Sequence, residues 1–211
     1  MGRIFQYLVY PVVWGISKLF CNEIIFNNEG RLVQIVGRPA IIVANHISMY
    51  DSFLLRLSRY WMQLHVSFMG VRKFKSVPLR ILNMMGIIPI IYKLFGVFTV
   101  VPGLGLEKNL QIAQEIILKN RAVFMFPEGS INTDNNLLPF KKGAAALAVA
   151  TGALVLPIGY SQIRKKILGK KITITFGEPI HVDVNSSIED VTKEFETIIH
   201  NLSGKGLPIT V

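Results

Sequence analysis

A histidine and a carboxylate stand five positions apart in Ala44-Asn45-His46-Ile47-Ser48-Met49-Tyr50-Asp51, directly after the apolar run Ala40-Ile41-Ile42-Val43-Ala44. On a continuous helix five positions is a rotation of about 140°, so the two side chains would not share a face. In a turn leading from a strand into a helix they can meet. Asp51 then holds one imidazole nitrogen and fixes the tautomer, and the other nitrogen can take a proton from a hydroxyl. The pair is two-thirds of a hydrolytic triad with the serine missing. The hydroxyl could therefore belong to a substrate, which points to transfer rather than hydrolysis. A lone surface or capping pair is the plain alternative, and a second motif weighs against it.

That motif is Phe126-Pro127-Glu128-Gly129-Ser130, at the end of another apolar run, Ala122 to Phe126. Asn-His-x4-Asp followed later in the chain by Phe-Pro-Glu-Gly resembles the glycerolipid acyltransferase family. Phe140-Lys141-Lys142-Gly143-Ala144 and the proline block Val155-Leu156-Pro157-Ile158 extend the resemblance, which runs over residues 38 to 180. It implies a fatty acyl group moved from an acyl thioester, on coenzyme A or acyl carrier protein, to the free hydroxyl of 1-acylglycerol-3-phosphate, giving phosphatidic acid. His46 is the implied base and Asp51 its orienter. Asn45, Glu128, Gly129 and Ser130 fall in the implied acceptor-binding set, with backbone N–H groups near Gly129 as oxyanion donors. Lys141 and Lys142 would supply charge to a phosphate, and Pro157 would shape a wall of the site. Ser48 and Ser130 read as turn or cap residues. No cofactor or metal is implied.

Two positions depart from the family pattern. The arginine that often follows Glu-Gly-Thr is Ile131 here, and the arginine that often closes Gly-x-x-Pro-Ile-x is Tyr92, after Gly86-Ile87-Ile88-Pro89-Ile90-Ile91. Both arginines serve the acceptor phosphate in the family. Compensation falls to Lys93, Lys141, Lys142 or the basic run Arg72-Lys73-Phe74-Lys75. Acceptors that are other lysophospholipids, transacylation, and a non-catalytic lipid-binding role are the competing readings.

Composition bounds the setting. The chain has 211 residues, 51% of them hydrophobic and 17% charged, with a net charge of +10. Apolar and basic together suit an anionic membrane surface better than a nucleic acid, since Arg-rich aromatic stripes and zinc-ligand spacing are missing. A single cysteine, Cys21, excludes an internal disulfide framework. No uninterrupted apolar run of about 18 residues is present, so no transmembrane helix is expected.

The N-terminus is amphipathic. Ile4, Phe5, Leu8, Val9, Val12, Val13, Ile16 and Phe20 fall on one helical stripe, with Trp14, Tyr7 and Tyr10 as interfacial aromatics. As a helix, residues 4–20 would span about 25 Å, short of a hydrocarbon core, and Pro11 would kink it. Residues 1–21 are expected to lie in the membrane plane at the cytoplasmic face, as a peripheral or monotopic anchor. A core helix and a signal peptide are the alternatives. Residues 22–211 form the catalytic domain in this reading.

The rest of the chain alternates. Strands are expected near 23–27, 32–36, 40–44, 64–69, 87–91, 122–126, 154–160 and 171–176, with a hairpin-like turn at Asn27-Asn28-Glu29-Gly30. Helices are expected from Asp51 and over 78–85, 106–119, 143–150 and 188–202. That alternation predicts a single-domain α/β sandwich with a largely parallel central sheet. Sites in such sheets lie beyond the strand carboxyl ends, where His46 and Glu128 both fall.

Overall fold

The computed structural model describes Pro11, Gly15 and residues 23–48, 50–71, 77–100, 105–164 and 170–208. The expected N-terminal anchor, those two residues apart, and the basic run 72–75 lie outside the described residues.

The strands are β1 (Glu23–Asn27), β2 (Ala40–Ala44), β3 (Val66–Val71), β4 (Val97–Val100), β5 (Ala122–Met125), β6 (Leu154–Arg164) and β7 (Lys170–Phe176). They form one sheet ordered β1-β7-β6-β2-β5-β3-β4. Every pairing is parallel except β6 with β7. β2 and β5 are apolar and buried at every position. Such runs belong inside a parallel sheet covered on both faces. Ile42 stands in register with Phe124 on one side and Leu156 on the other.

The helices are α1 (Asp51–Leu54), α2 (Val77–Met84), α3 (Ile87–Phe95), α4 (Leu106–Ile117), α5 (Gly143–Thr151) and α6 (Ile188–Ser203). Alternation along the central strands splits the core in two. Ile42, Phe124 and Leu156 pack with Leu32, Leu54 and Trp61 on one face. Ile41, Val43 and Val123 pack with Leu110 of α4, Leu147 of α5 and Phe195 of α6 on the other. The architecture is the expected α/β sandwich.

Two expected strands are helical. Residues 32–36 fall largely within a 3-10 helix, Glu29–Ile35, entered through Asn28 at φ +59°. Leu32 and Ile35, three apart, both turn into the core. β1 therefore has no hairpin partner beside it in sequence and pairs in parallel with β7. Residues 87–91 open α3, bracketed by Gly86 at φ +76° and Gly96 at φ +66°. Ile88 is buried, Tyr92 and Phe95 are partly buried at helical spacing, and Pro89 sits in the first turn, where a missing N–H costs nothing. A short apolar run does not distinguish strand from helix by itself. The strand next to β3 is instead Val97–Val100.

The C-terminal end of α6 is drawn tightly onto β6. A Cβ at Gly159 would fall 2.4 Å from the Leu202 carbonyl carbon, so only glycine permits that approach. The contact delivers the following tail to the loop after β5. Leu137 N donates to Gly206 O, and Gly206 N donates to Asn135 O, each at 2.8 Å.

Candidate active site

β2 and β5 are adjacent and parallel, so the loops at their carboxyl ends emerge side by side. The turn after β2 brings His46 Nδ1 to 2.9 Å from Asp51 Oδ2. Asp51 is fully buried. Its Oδ2 also accepts from the Ile47 and Ser48 amides at 2.7 and 2.9 Å, and its Oδ1 accepts from Ser48 Oγ at 2.5 Å. Donors of this kind fix the position of a carboxylate. With the Asp51 carboxylate accepting from Nδ1–H, the free lone pair of the imidazole is on Nε2. The imidazole lies flat on Phe126, with centroids 3.9 Å apart and planes at 12°. Ser48 is bound into the turn by Asp51.

Asn45 is completely buried, and its amide is used by backbone: Nδ2 donates to Tyr160 O at 2.8 Å and Oδ1 accepts from Tyr160 N at 2.7 Å. The expected substrate contact gives way to a structural one, in which Asn45 prolongs the pairing of β2 with β6. Tyr160 in turn donates its hydroxyl to Asp51 O at 3.0 Å. Burial, and then the Asp51 charge, push that phenol well above its usual range, so it stays a donor.

Glu128 is also buried, at 3% exposure. Its Oε1 accepts from the His46 amide at 2.8 Å, and its Oε2 accepts from Asn132 Nδ2 at 2.7 Å and Leu138 N at 2.9 Å. The carboxylate thus joins the two motif loops. Asn132 adds a second strut, donating N–H to His46 O at 2.7 Å. Within the loop, Gly129 N–H closes onto Phe126 O at 3.1 Å, so that amide is not available as an oxyanion donor. Gly129 and Ser130 are exposed. Among the described residues no acceptor pairs with the Ser130 or Ile131 N–H groups.

The lysines separate. A Cβ at Gly129, whose φ is +70°, would collide with the Lys141 side chain, which therefore lies across the Glu128 loop. Lys142 turns away to pair with Glu189. Lys93 lies in the last turn of α3, just before the start of β4, whereas His46 and Glu128 follow the ends of β2 and β5. In parallel strands these are opposite sheet edges, so the structure does not bring Lys93 to the pair. Pro157 is buried in β6, in register with Val43, and its carbonyl accepts from Gly177 N at 2.8 Å.

Lys205 is a cation that no motif marks. Its Nζ donates to Asn132 O at 2.8 Å. Desolvation lowers its pKa, and the charges of Glu128, Asp134 and Asp51 oppose that shift. Lys205 arrives at the loop only through the packing of α6 on Gly159, which leaves no local sequence signal. Among the described residues no group of three or more His, Cys, Asp or Glu side chains could hold a metal ion.

The molecule is thus an α/β sheet with a tethered His–Asp pair beyond the carboxyl ends of its central strands. A family model described as Acyltransferase matches residues 23–161, and the chain belongs to that family. It is 30% identical over 146 residues to the human 1-acyl-sn-glycerol-3-phosphate acyltransferase beta, covering 67% of this chain and 48% of that one. It is 33% identical over 100 residues to the 1-acyl-sn-glycerol-3-phosphate acyltransferase of Haemophilus influenzae, covering 45% and 41%. The chain thus spans less than half the length of these curated relatives. The fold resembles the crystal structure of the 1-acyl-sn-glycerophosphate acyltransferase PlsC from Thermotoga maritima, with a TM-score of 0.63 at 19% identity, over 94% of this chain and 75% of that one.

Proposed function

We propose that this protein is a membrane-associated acyltransferase that moves a fatty acyl group from an acyl thioester to the hydroxyl of 1-acylglycerol-3-phosphate, forming phosphatidic acid. The observation that carries this reading is the His46–Asp51 pair, with no serine or cysteine among the described residues bonded to Nε2. Nε2 removes the acceptor hydroxyl proton as its oxygen bonds to the acyl carbon. The tetrahedral adduct then expels the thiolate, and the imidazolium returns the proton to sulfur. The carbon–oxygen bond formed replaces the carbon–sulfur bond broken, and no cofactor or metal is consumed. The Ser130 and Ile131 N–H groups are the oxyanion donors in this reading.

Lys141 and Lys205 hold the acceptor phosphate in place of the arginines that Ile131 and Tyr92 replace. A lysine offers a point charge where arginine offers a bidentate fork, so discrimination among phosphorylated acceptors is loose. That substitution also favours the second reading, an acyltransferase or transacylase for other lysophospholipids. A panel of lysolipid acceptors against acyl-CoA and acyl carrier protein tests both. Preference for 1-acylglycerol-3-phosphate supports the first reading, and preference for a zwitterionic lysolipid supports the second. Lipid binding without transfer from any donor would make the protein a non-catalytic binder.

A further inference from the structure

Half of the large apolar residues exposed on the described chain, eight of sixteen, fall within residues 77–91. They are ordered. On α2, Val77, Ile81 and Met84 recur at i, i+4 and i+7 and are 62%, 52% and 86% exposed. On α3, Ile87, Ile90 and Ile91 form an outward stripe, while Ile88, Tyr92 and Phe95 turn toward the domain. Arg56 fixes that inner side, donating to Phe95 O at 2.9 Å with its guanidinium over the Phe95 ring. Helical stripes of this spacing normally face a core. Here, among the described residues, two consecutive helices turn them to solvent.

The charge around the stripes is one-sided. No Asp or Glu occurs between Asp51 and Glu107, and Arg80 and Lys93 on the two helices are exposed. Two helices whose own charged side chains are all cations suit the interface of an anionic bilayer, where the apolar side chains enter the acyl region and the cations meet phosphates. α2 also begins after the carboxyl end of β3, the sheet edge that carries His46 and Glu128. We propose that α2 and α3 form an interfacial membrane-contact surface, separate from the N-terminal stripe, which lays their apolar faces into the bilayer.

The test reads insertion rather than turnover, so its failure and a failure of the acyltransferase reading are distinguishable. A nitrobenzoxadiazole probe is attached at Met84→Cys in the full chain carrying Cys21→Ser. A control probe is placed at Leu118→Cys, which is 78% exposed and lies near the opposite sheet edge. Phosphatidylglycerol–phosphatidylcholine vesicles are added, and binding is checked by co-sedimentation. The Met84 probe is expected to shift to the blue and to be quenched by spin-labelled lipid, with the Leu118 probe unchanged. Ile81→Glu with Ile90→Glu, both at exposed positions, is expected to abolish the shift. A Met84 probe unchanged on vesicles that carry the protein would overturn the proposal. So would a shift that survives the double substitution, or one that appears without lipid and grows with protein concentration, which would make a second copy of the chain the occupant.

Discussion

The Glu128 carboxylate accepts a hydrogen bond from the His46 backbone amide at 2.8 Å, so the loop after β5 holds the turn after β2 through main chain and not through the imidazole. Asn132 N, donating back to His46 O at 2.7 Å, makes the connection two-sided. His46 and Asp51 are thereby seated on a main-chain frame that does not depend on the imidazole.

Replacing Glu128 with Gln leaves one amide NH2 facing backbone or Asn132 donors. At least one of three bonds is lost in a buried site, a loss of about 1–3 kcal/mol. Turnover should fall more than acceptor saturation changes, since the His46 turn is displaced. Steady-state kinetics beside thermal unfolding of Glu128→Gln measures both. A change confined to the Michaelis constant would instead make Glu128 chiefly an acceptor contact.

Asp51→Asn disturbs a carboxylate that serves His46, Ile47 and Ser48 together. The amide cannot satisfy all those donors and releases the imidazole tautomer. Turnover should drop by roughly 10²–10⁴. Activity within a few-fold of the parent would mean that the tautomer is fixed by something else.

The two neighbouring lysines should behave differently. Lys141→Ala removes the cation lying over Gly129 and should raise the Michaelis constant for lysophosphatidic acid with a smaller effect on turnover. Lys142→Ala removes an exposed pair with Glu189 and should leave acceptor kinetics unchanged. Equal effects from both would place the phosphate elsewhere.

Tyr160→Phe removes the bond to Asp51 O, a loss of about 1 kcal/mol. The folded phenol has a raised pKa, so its contribution is complete below the unfolded value near 10 and fades as pH climbs toward the folded one. The stability gap between parent and variant should therefore be constant below about pH 9 and narrow as pH rises beyond about 10. Denaturant unfolding at several pH values measures the gap, and a gap constant throughout would contradict the assignment.

The His46–Asp51 pair is legible because its geometry is local: an apolar strand, a tight turn and a helix start suffice to join the two residues. The central strands are legible because parallel strands buried on both faces are continuously apolar. What the sequence hides is long-range or ambiguous. Asn45 and Glu128 stand in the motifs, yet their partners, Tyr160 and the His46 amide, are set by strand order. Lys205 reaches Asn132 only because Gly159 lets α6 close on β6. Residues 87–91 are apolar enough for either strand or helix, and flanking glycines with positive φ decide for helix.

The central claim is that His46 is the base for acyl transfer. His46→Ala keeps both main-chain bonds of the turn, so the variant should unfold at nearly the parent temperature. Labelled acyl transfer from acyl-CoA or acyl carrier protein to 1-acylglycerol-3-phosphate is the direct measurement. With His46 as the base, transfer falls to background in a folded variant. Near-normal turnover of His46→Ala on any lysolipid acceptor would contradict it.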